Sequence, residues 1–147
     1  MIEETPPCRH KLSLRLRHPT ARLESCTEQF DLEPLRQWSV GEPRTSTRAV
    51  PLPGVWQDSY WTASLDVAEG ESLEQSLERT VSWLEKHAHY LGEHRQSGGS
   101  VELFVGFFLE GFNAGFSLAP ALLSRSAGLG VALDFDVYGP RDEPHAP

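Results

Sequence analysis

The stretch Lys11-Leu12-Ser13-Leu14-Arg15-Leu16-Arg17 decides the fold, because apolar and polar side chains alternate along it without interruption. Successive side chains of a β-strand point to opposite faces of a sheet. The alternation therefore predicts a half-buried strand whose leucines face a core and whose basic residues face solvent. Residues 131–138 alternate in the same way. Residues 101–109 alternate with apolar side chains on both faces, which indicates a central strand.

Two short stretches have the spacing of amphipathic helices. Apolar residues recur at helical intervals over residues 23–30, and Thr20 is the expected N-cap of this helix. A second helix is predicted over residues 119–127, with Pro120 in its first turn and Gly128 at its C-terminal cap.

The longest predicted helix begins at Ser72. Ser72 and Gln75 have the spacing of a capping box, in which each side chain satisfies a free backbone N–H group. An apolar stripe then extends over five turns, and the helix is expected to end at Gln96-Ser97-Gly98-Gly99.

The remaining segments are less regular. Residues 35–48 are expected to form an extended piece with a turn, and Pro51-Leu52-Pro53-Gly54 is expected to break regular structure. Residues 55–67 have the composition of a strand, and residues 116–118 predict a short one. The order of elements predicts an α+β fold with a mainly antiparallel sheet of five to six strands. We expect the helices on one face of this sheet, in a ferredoxin-like arrangement.

The composition indicates one globular domain. The chain has 147 residues, of which 39% are hydrophobic and 23% are charged. A chain of this length buries a sizeable core without disulfide or metal staples. We expect the domain over residues 10–138, with flexible Pro-rich tails at 1–9 and 139–147.

The formal net charge of −8 makes nucleic acid and anionic membrane surfaces unexpected partners. The sequence contains no stretch long and apolar enough for a membrane span and no apolar run at its start. We therefore expect a cytoplasmic protein. Its two cysteines are too few for a disulfide scaffold. Cys26 is expected to be a buried free thiol, and a Cys8–Cys26 bridge stays open.

Motifs for catalysis and cofactor binding are absent from the sequence. It has no GxSxG, no phosphate-binding loop and no GxGxxG. His87, His89 and His94 lack the i, i+3 or i, i+4 spacing that brings two ligands to one metal ion. We predict no catalytic residue, no metal and no cofactor, and we expect these histidines to be solvated.

Two acidic residues are the first candidates for chemistry. Asp134 and Asp136 share the outward face of the last strand, about 7 Å apart. Such a pair suits a hard cation or acid/base chemistry. The simpler interpretation is an exposed strand face or an ion pair with an arginine such as Arg15, Arg17 or Arg44.

An aromatic-rich region is the second candidate. It comprises Trp38, Trp56, Tyr60 and Trp61, with Arg44 nearby in sequence. Aromatic residues and an arginine line pockets for flat ligands and anchor protein interfaces. Alternatively, the tryptophans cover one end of the core and Arg44 stacks on one of them.

Several stretches resemble a known family when they are taken together and in order. They are the strand Leu12–Leu16 with His18-Pro19, then Leu32-Glu33-Pro34 leading to Trp38 and Gly41-Glu42-Pro43-Arg44, then Trp56, and the ending Leu133-Asp134-Phe135-Asp136-Val137-Tyr138. Over about residues 10–138 the chain resembles the bacterial family DUF4279, a domain of unknown function. The resemblance implies a small cytoplasmic α+β domain. It implies no activity, substrate or cofactor, and so assigns no functional residue.

Two functions of different classes follow as expectations. The first is a non-catalytic protein-binding module, monomeric or homodimeric, in one version an immunity-type protein whose acidity attracts a basic partner. The second is a ligand- or metal-binding protein or small enzyme that uses Asp134 and Asp136 near a tryptophan-rich groove.

Overall fold

The computed structural model describes residues 8–140. Within these residues the chain forms seven strands and four helices. In order they are β1 (Cys8–His18), α1 (Ser25–Phe30), β2 (Arg36–Trp38), β3 (Pro43–Thr45), β4 (Pro51–Val55), β5 (Ser59–Leu65), α2 (Leu73–Glu85), α3 (Ala88–Gln96), β6 (Ser100–Leu109), α4 (Pro120–Leu129) and β7 (Val131–Tyr138). The expected tails lie largely outside the described residues, although residues 8 and 9 belong to β1.

Five strands form one sheet in the order β2-β5-β1-β6-β7. Every neighbouring pair is antiparallel except β6 and β7, which are parallel. The remaining strands, β3 and β4, form a separate two-stranded ribbon. The alternating strand β1 is the middle strand, with Leu14 opposite Ala63 of β5 and Leu103 of β6. The predicted α+β class and mostly antiparallel sheet are confirmed.

The core lies between one face of the sheet and the helices. Leu12, Leu14 and Leu16 of β1 are at most 1% exposed, and they belong to one cluster with buried residues of β5, β6 and all four helices. Removing this much apolar surface from water is the main stabilising term in such a fold. The other face of the sheet has no described helix against it.

Four features differ from the expected architecture. The ferredoxin-like arrangement is not supported, because β6 and β7 pair in parallel and make this a mixed sheet, whereas a ferredoxin-like sheet is antiparallel throughout. Residues 51–54 are not a break but part of strand β4. Proline is tolerated there because a two-stranded ribbon leaves many backbone N–H groups without a strand partner. Residues 116–118 form no strand, and the expected strand at 55–67 begins only at Ser59.

The long predicted helix is divided into α2 and α3. The capping box of Ser72 and Gln75 is present as predicted. The backbone N–H groups of Lys86 and His87 bond three residues back, to Trp83 and Leu84, which tightens and ends α2. The ring of His87 packs on Phe30 and Trp83 at this junction, so tertiary packing fixes the break.

Both short predicted helices are present, but their ends differ from the prediction. Helix α1 begins at Ser25, because Thr20 is held in a turn where its N–H donates to Nδ1 of His18. Pro120 is in the first turn of α4 as predicted. The C-cap of α4 is Gly130, whose φ of 67° is left-handed, and Gly128 lies inside the helix.

This difference between the two glycines predicts opposite effects of alanine. Gly128→Ala is expected to stabilise the protein by about 0.5–1 kcal/mol, because the site is helical and a methyl group there meets no atom within 4 Å. Gly130→Ala is expected to destabilise it by about 1–2 kcal/mol, because alanine is strained at positive φ and Arg95 must move. Urea unfolding of the two variants measures both effects, and changes of the same sign would contradict the assignment of the cap.

Candidate functional site

The open face of the sheet carries the candidate site. Its side chains are those of opposite parity to the leucines of β1, so they point away from the helices. Across β2, β5 and β1 the register aligns Trp38 with Tyr60 and Tyr60 with Arg17. In the next row, Arg36 is aligned with Thr62 and Thr62 with Arg15. Residues distant in sequence thus form an aromatic and cationic surface.

The two open-face tryptophans stack on each other. The rings of Trp38 and Trp56 have centroids 3.8 Å apart and an interplanar angle of 7°. Trp38 also contacts Tyr60 at 4.4 Å between centroids. Both tryptophans remain partly exposed, whereas Tyr60 is buried beneath its neighbours. Stacked aromatic rings of this kind form a rigid apolar platform.

Arginines surround this platform. The guanidinium carbon of Arg36 lies 4.9 Å from the ring centroid of Trp38 and 5.6 Å from that of Trp56. The guanidinium carbon of Arg44 lies 5.5 Å from the ring centroid of Trp56. Stacking of Arg44 on a tryptophan was one of the alternatives that the sequence suggested. Arg17 lies 4.4 Å from Tyr60. Each arrangement is a cation–π contact, attractive because the face of an aromatic ring is electronegative.

Hydrogen bonds hold these arginines in place. Arg36 donates to the carbonyl of Thr45 at 2.9 Å, and Arg44 donates to that of Pro53 at 3.3 Å. Because both acceptors belong to the ribbon segment, the ribbon positions the cations. We call Arg17, Arg36, Trp38, Arg44 and Trp56 the tryptophan–arginine corner. A groove of about 450 Å³ lies there, lined by Arg17, Trp38, Arg44, Gly54, Val55, Trp56, Gln57 and Asp58.

Trp61 is not part of this surface. It has the opposite parity on β5, is fully buried in the core, and donates from Nε1 to Thr27 Oγ1 at 3.0 Å. Trp61 therefore lies in the core, apart from the other candidate binding residues on the open face. Because side chains alternate along residues 59–65, Trp61 and Tyr60 point to opposite faces of the sheet. Only the position of the helices decides which of the two faces becomes the core.

The predicted acidic residues lie at the other edge of the same face. Asp134 and Asp136 share the outward face of β7, as expected. Asp136 is exposed and accepts a hydrogen bond from the hydroxyl of Tyr138. Strand β2 and strand β7 are the two edges of the five-stranded sheet, roughly 19 Å apart at the usual strand spacing. The expected single groove with both the aspartates and the tryptophans is not formed.

The acid that pairs with Asp134 is one that the sequence analysis missed, Glu102 of β6. A hydrogen bond with Asp134 is the main cause that raises the pKa of Glu102 from 4.5 to about 7, and burial and the charge of Asp134 add to it. Two neighbouring carboxyl groups share a proton more easily than they both ionise. Glu102 was detectable as the one acidic residue among the outward side chains of the predicted central strand.

Arg15 lies beside this acidic pair in the middle of the face. Its guanidinium carbon is 3.8 Å from the ring centroid of Phe104, and its charge opposes the rise in the pKa of Glu102. The Nε atom of Arg15 is buried and has no hydrogen-bond partner among the described residues. The open face therefore has a cationic aromatic edge at β2 and an acidic edge at β7.

Other candidates from the sequence are structural. Cys26 is a buried free thiol, as predicted. Burial raises its pKa to about 11, so the thiol stays protonated and unreactive at neutral pH. His87 packs in the α2–α3 junction and His94 is buried. Residues 8–140 contain no group of three or more His, Cys, Asp and Glu side chains arranged to hold a metal ion.

No helix in the described part of the chain is long and apolar enough to cross a membrane.

Comparisons with known proteins identify the family. Neither the curated proteins nor the solved structures gave a match. The family described as "Domain of unknown function (DUF4279)" matches residues 7–140, almost the whole chain. The chain therefore belongs to the DUF4279 family.

Proposed function

We propose that this chain is a non-catalytic protein-binding domain that binds an acidic segment of a partner protein at the tryptophan–arginine corner. The observation that carries the proposal is the stacked pair of Trp38 and Trp56, partly exposed between Arg36 and Arg44 on the open sheet face. Neutralisation of a toxin, in the manner of an immunity protein, is one version of this function.

The residue types at the corner favour a protein partner. Tryptophan, tyrosine and arginine are the residues that contribute most to binding energy at protein interfaces. A pre-stacked pair loses little conformational entropy on binding, because both rings are already fixed by their neighbours. The corner therefore offers a preorganised anchor.

The charge of the corner favours an acidic partner segment. Arg17, Arg36 and Arg44 supply three positive charges, and Asp58 is the acid among the groove-lining residues, 3.4 Å from Arg17. The acidic residues within α2 and just before it do not extend this surface. Glu71 is paired with Arg79, and Glu78 and Glu85 are paired with Arg125 on the helical layer. The partner expected from net charge alone, a basic one, does not suit this corner.

The neighbouring ribbon adds apolar contact area. Four apolar side chains near the corner are conspicuously exposed, namely Leu35, Val50, Leu52 and Val55. Val55 is 44% exposed and lines the groove beside Trp56. Exposed apolar side chains that cluster next to aromatic anchors are typical of an interaction surface. A segment lying along the ribbon would bury them together with the tryptophans.

Site-specific photo-cross-linking in the native host tests this proposal. A photoreactive residue is placed at Gln57, exposed in the groove, and in a control protein at Ser124, exposed on helix α4. We expect one protein adduct from position 57 and none from position 124. Mass spectrometry should locate the cross-link in a segment rich in Asp and Glu.

Two variants test whether the corner is responsible. Trp56→Ala should weaken the interaction about thirtyfold, the usual loss for an anchoring tryptophan, and Arg44→Glu should abolish the adduct by charge repulsion. The proposal is overturned by an absence of adducts at position 57, by equal adducts at position 124, or by adducts with nucleic acid. Circular dichroism of each variant checks that the fold is retained.

A further inference from the structure

A second cavity lies on the helical side of the sheet, away from the tryptophan–arginine corner. It has a volume of about 450 Å³, which is in the range of small-molecule sites. Its apolar walls include Val67, Leu73, Phe107 and Phe116. The rings of Phe107 and Phe116 meet edge to face with centroids 5.2 Å apart. This gives the cavity a firm aromatic side.

One polar side chain of the cavity, His10, is oriented by a chain of hydrogen bonds. Arg79 donates to Glu71 at 2.8 and 3.0 Å, and Ser76 donates to Glu71 at 2.5 Å. Since the single hydroxyl proton of Ser76 is used, its oxygen accepts from His10 Nε2 at 2.7 Å. Burial also lowers the pKa of His10 despite the nearby charges of Glu71 and Glu74, which favours the neutral ring.

In the neutral ring, this chain of hydrogen bonds leaves Nδ1 of His10 as an acceptor. A neutral imidazole that donates from Nε2 has its lone pair on Nδ1. Among the described residues Nδ1 has no hydrogen-bond partner, and His10 lines the cavity. The same arrangement makes Ser76 unsuitable as a nucleophile, because its hydroxyl donates to Glu71 and its side chain is buried.

The charges around the cavity favour a cation. Glu69 and Glu74 both line it, and a hydrogen bond from the backbone N–H of Ser117 lowers the pKa of Glu74, which keeps it ionised. Among the described lining residues, the one arginine or lysine is Arg9, which is paired with Glu110 at 2.9 Å. Glu71 is likewise neutralised by Arg79. The remaining charge in the cavity is negative.

We propose that this cavity binds a small organic amine, with its apolar body against Phe107 and Phe116 and its ammonium group donating to Nδ1 of His10 near Glu74. The site is independent of the sheet face and of the function proposed there. The lining residues specify both halves of the ligand. The aromatic wall selects the apolar body, whereas Nδ1 of His10 and the carboxylate of Glu74 select the ammonium group.

Phenethylamine is a probe with both features, and phenylpropanoate is its counterpart of similar shape with a negative charge. The 147-residue chain is titrated with each compound and followed by backbone and histidine-ring ¹H–¹⁵N NMR. Phenethylamine should shift the resonances of the cavity residues and the Nδ1 resonance of His10. Phenylpropanoate should bind at least about tenfold more weakly.

Matched variants localise the site. His10→Phe keeps an aromatic ring but removes the acceptor, and it should weaken amine binding about tenfold. His89→Phe is the control, because His89 is exposed on α3. Glu74→Gln and Phe116→Ala, at partly or largely exposed positions, give the same test if His10→Phe does not fold. No binding of phenethylamine, equal binding of phenylpropanoate, or binding insensitive to the cavity variants would each overturn the proposal.

Discussion

Trp61→Ala is expected to lower the free energy of unfolding by about 3–5 kcal/mol, the largest effect of any single tryptophan substitution in this chain. Trp61 is fully buried, packs on Phe30 with ring centroids 5.8 Å apart, and donates to Thr27. Alanine leaves a large cavity at the centre of the core and removes the donor to the Thr27 hydroxyl. Because a domain of this size is stable by only ~5–15 kcal/mol, the variant should be close to unfolding.

Urea unfolding followed by circular dichroism measures the loss, and Trp56→Ala is the matched control. Trp56 is partly exposed on the open face, so its removal should cost about 1 kcal/mol. The contrast tests the division of the tryptophans between core and interface. Equal losses of unfolding free energy for the two variants would mean that Trp56 stabilises the fold as much as Trp61 does, and would contradict its assignment to a binding surface.

Glu102→Gln is expected to stabilise the protein at alkaline pH and to have little effect at acid pH. The pKa of Glu102 is about 7 in the folded protein, against an ordinary 4.5. The folded state therefore binds more protons than the unfolded state between these values, and the contribution of Glu102 to stability falls as pH rises from 4.5 through 7. Glutamine removes this loss and still donates a hydrogen bond to Asp134. After allowance for solvent screening, the gain at pH 8 should be about 1–2 kcal/mol.

The measurement is urea unfolding of the two proteins at several pH values between 4 and 8. Asp134→Asn should have nearly the same effect, and the double variant should gain little more, because either change dissolves the carboxyl pair. Glu28→Gln, at an exposed position on α1, is the control and should be neutral. A gain from Glu102→Gln that is as large at pH 4.5 as at pH 8 would contradict the shared proton.

The elements that were predicted correctly are those in which local pattern and tertiary environment agree. The leucines of residues 12–16 alternate because one face of β1 is buried, and the capping box at Ser72 is a purely local device. The errors fall where tertiary contacts override local propensity. The division between α2 and α3 depends on packing at His87, and strand β4 forms through Pro51 because β3 pairs with it.

The candidate site was predicted in residue type but not in arrangement. Trp38, Trp56 and Arg44 were selected as aromatic and cationic residues, and they do come together. Arg36 and Glu102 were missed, because their importance comes from neighbours on other strands. The pairing of Asp134 with Glu102 depends on the parallel alignment of β6 with β7, and a sequence pattern carries no record of which strands become neighbours.

The sequence by itself determined most of the elements, the α+β class, the resemblance to the family and the alternation along each long strand, because side-chain alternation is a local property of the backbone. Only the tertiary structure decided which side chains of β5 face the helices and which strands lie side by side. That decision buried Trp61, left Trp38 and Trp56 on the open face, and separated them from Asp134 by three strands. The physical reason is that core burial and strand pairing are contacts between distant segments, whose free energy exists only once the whole sheet has formed.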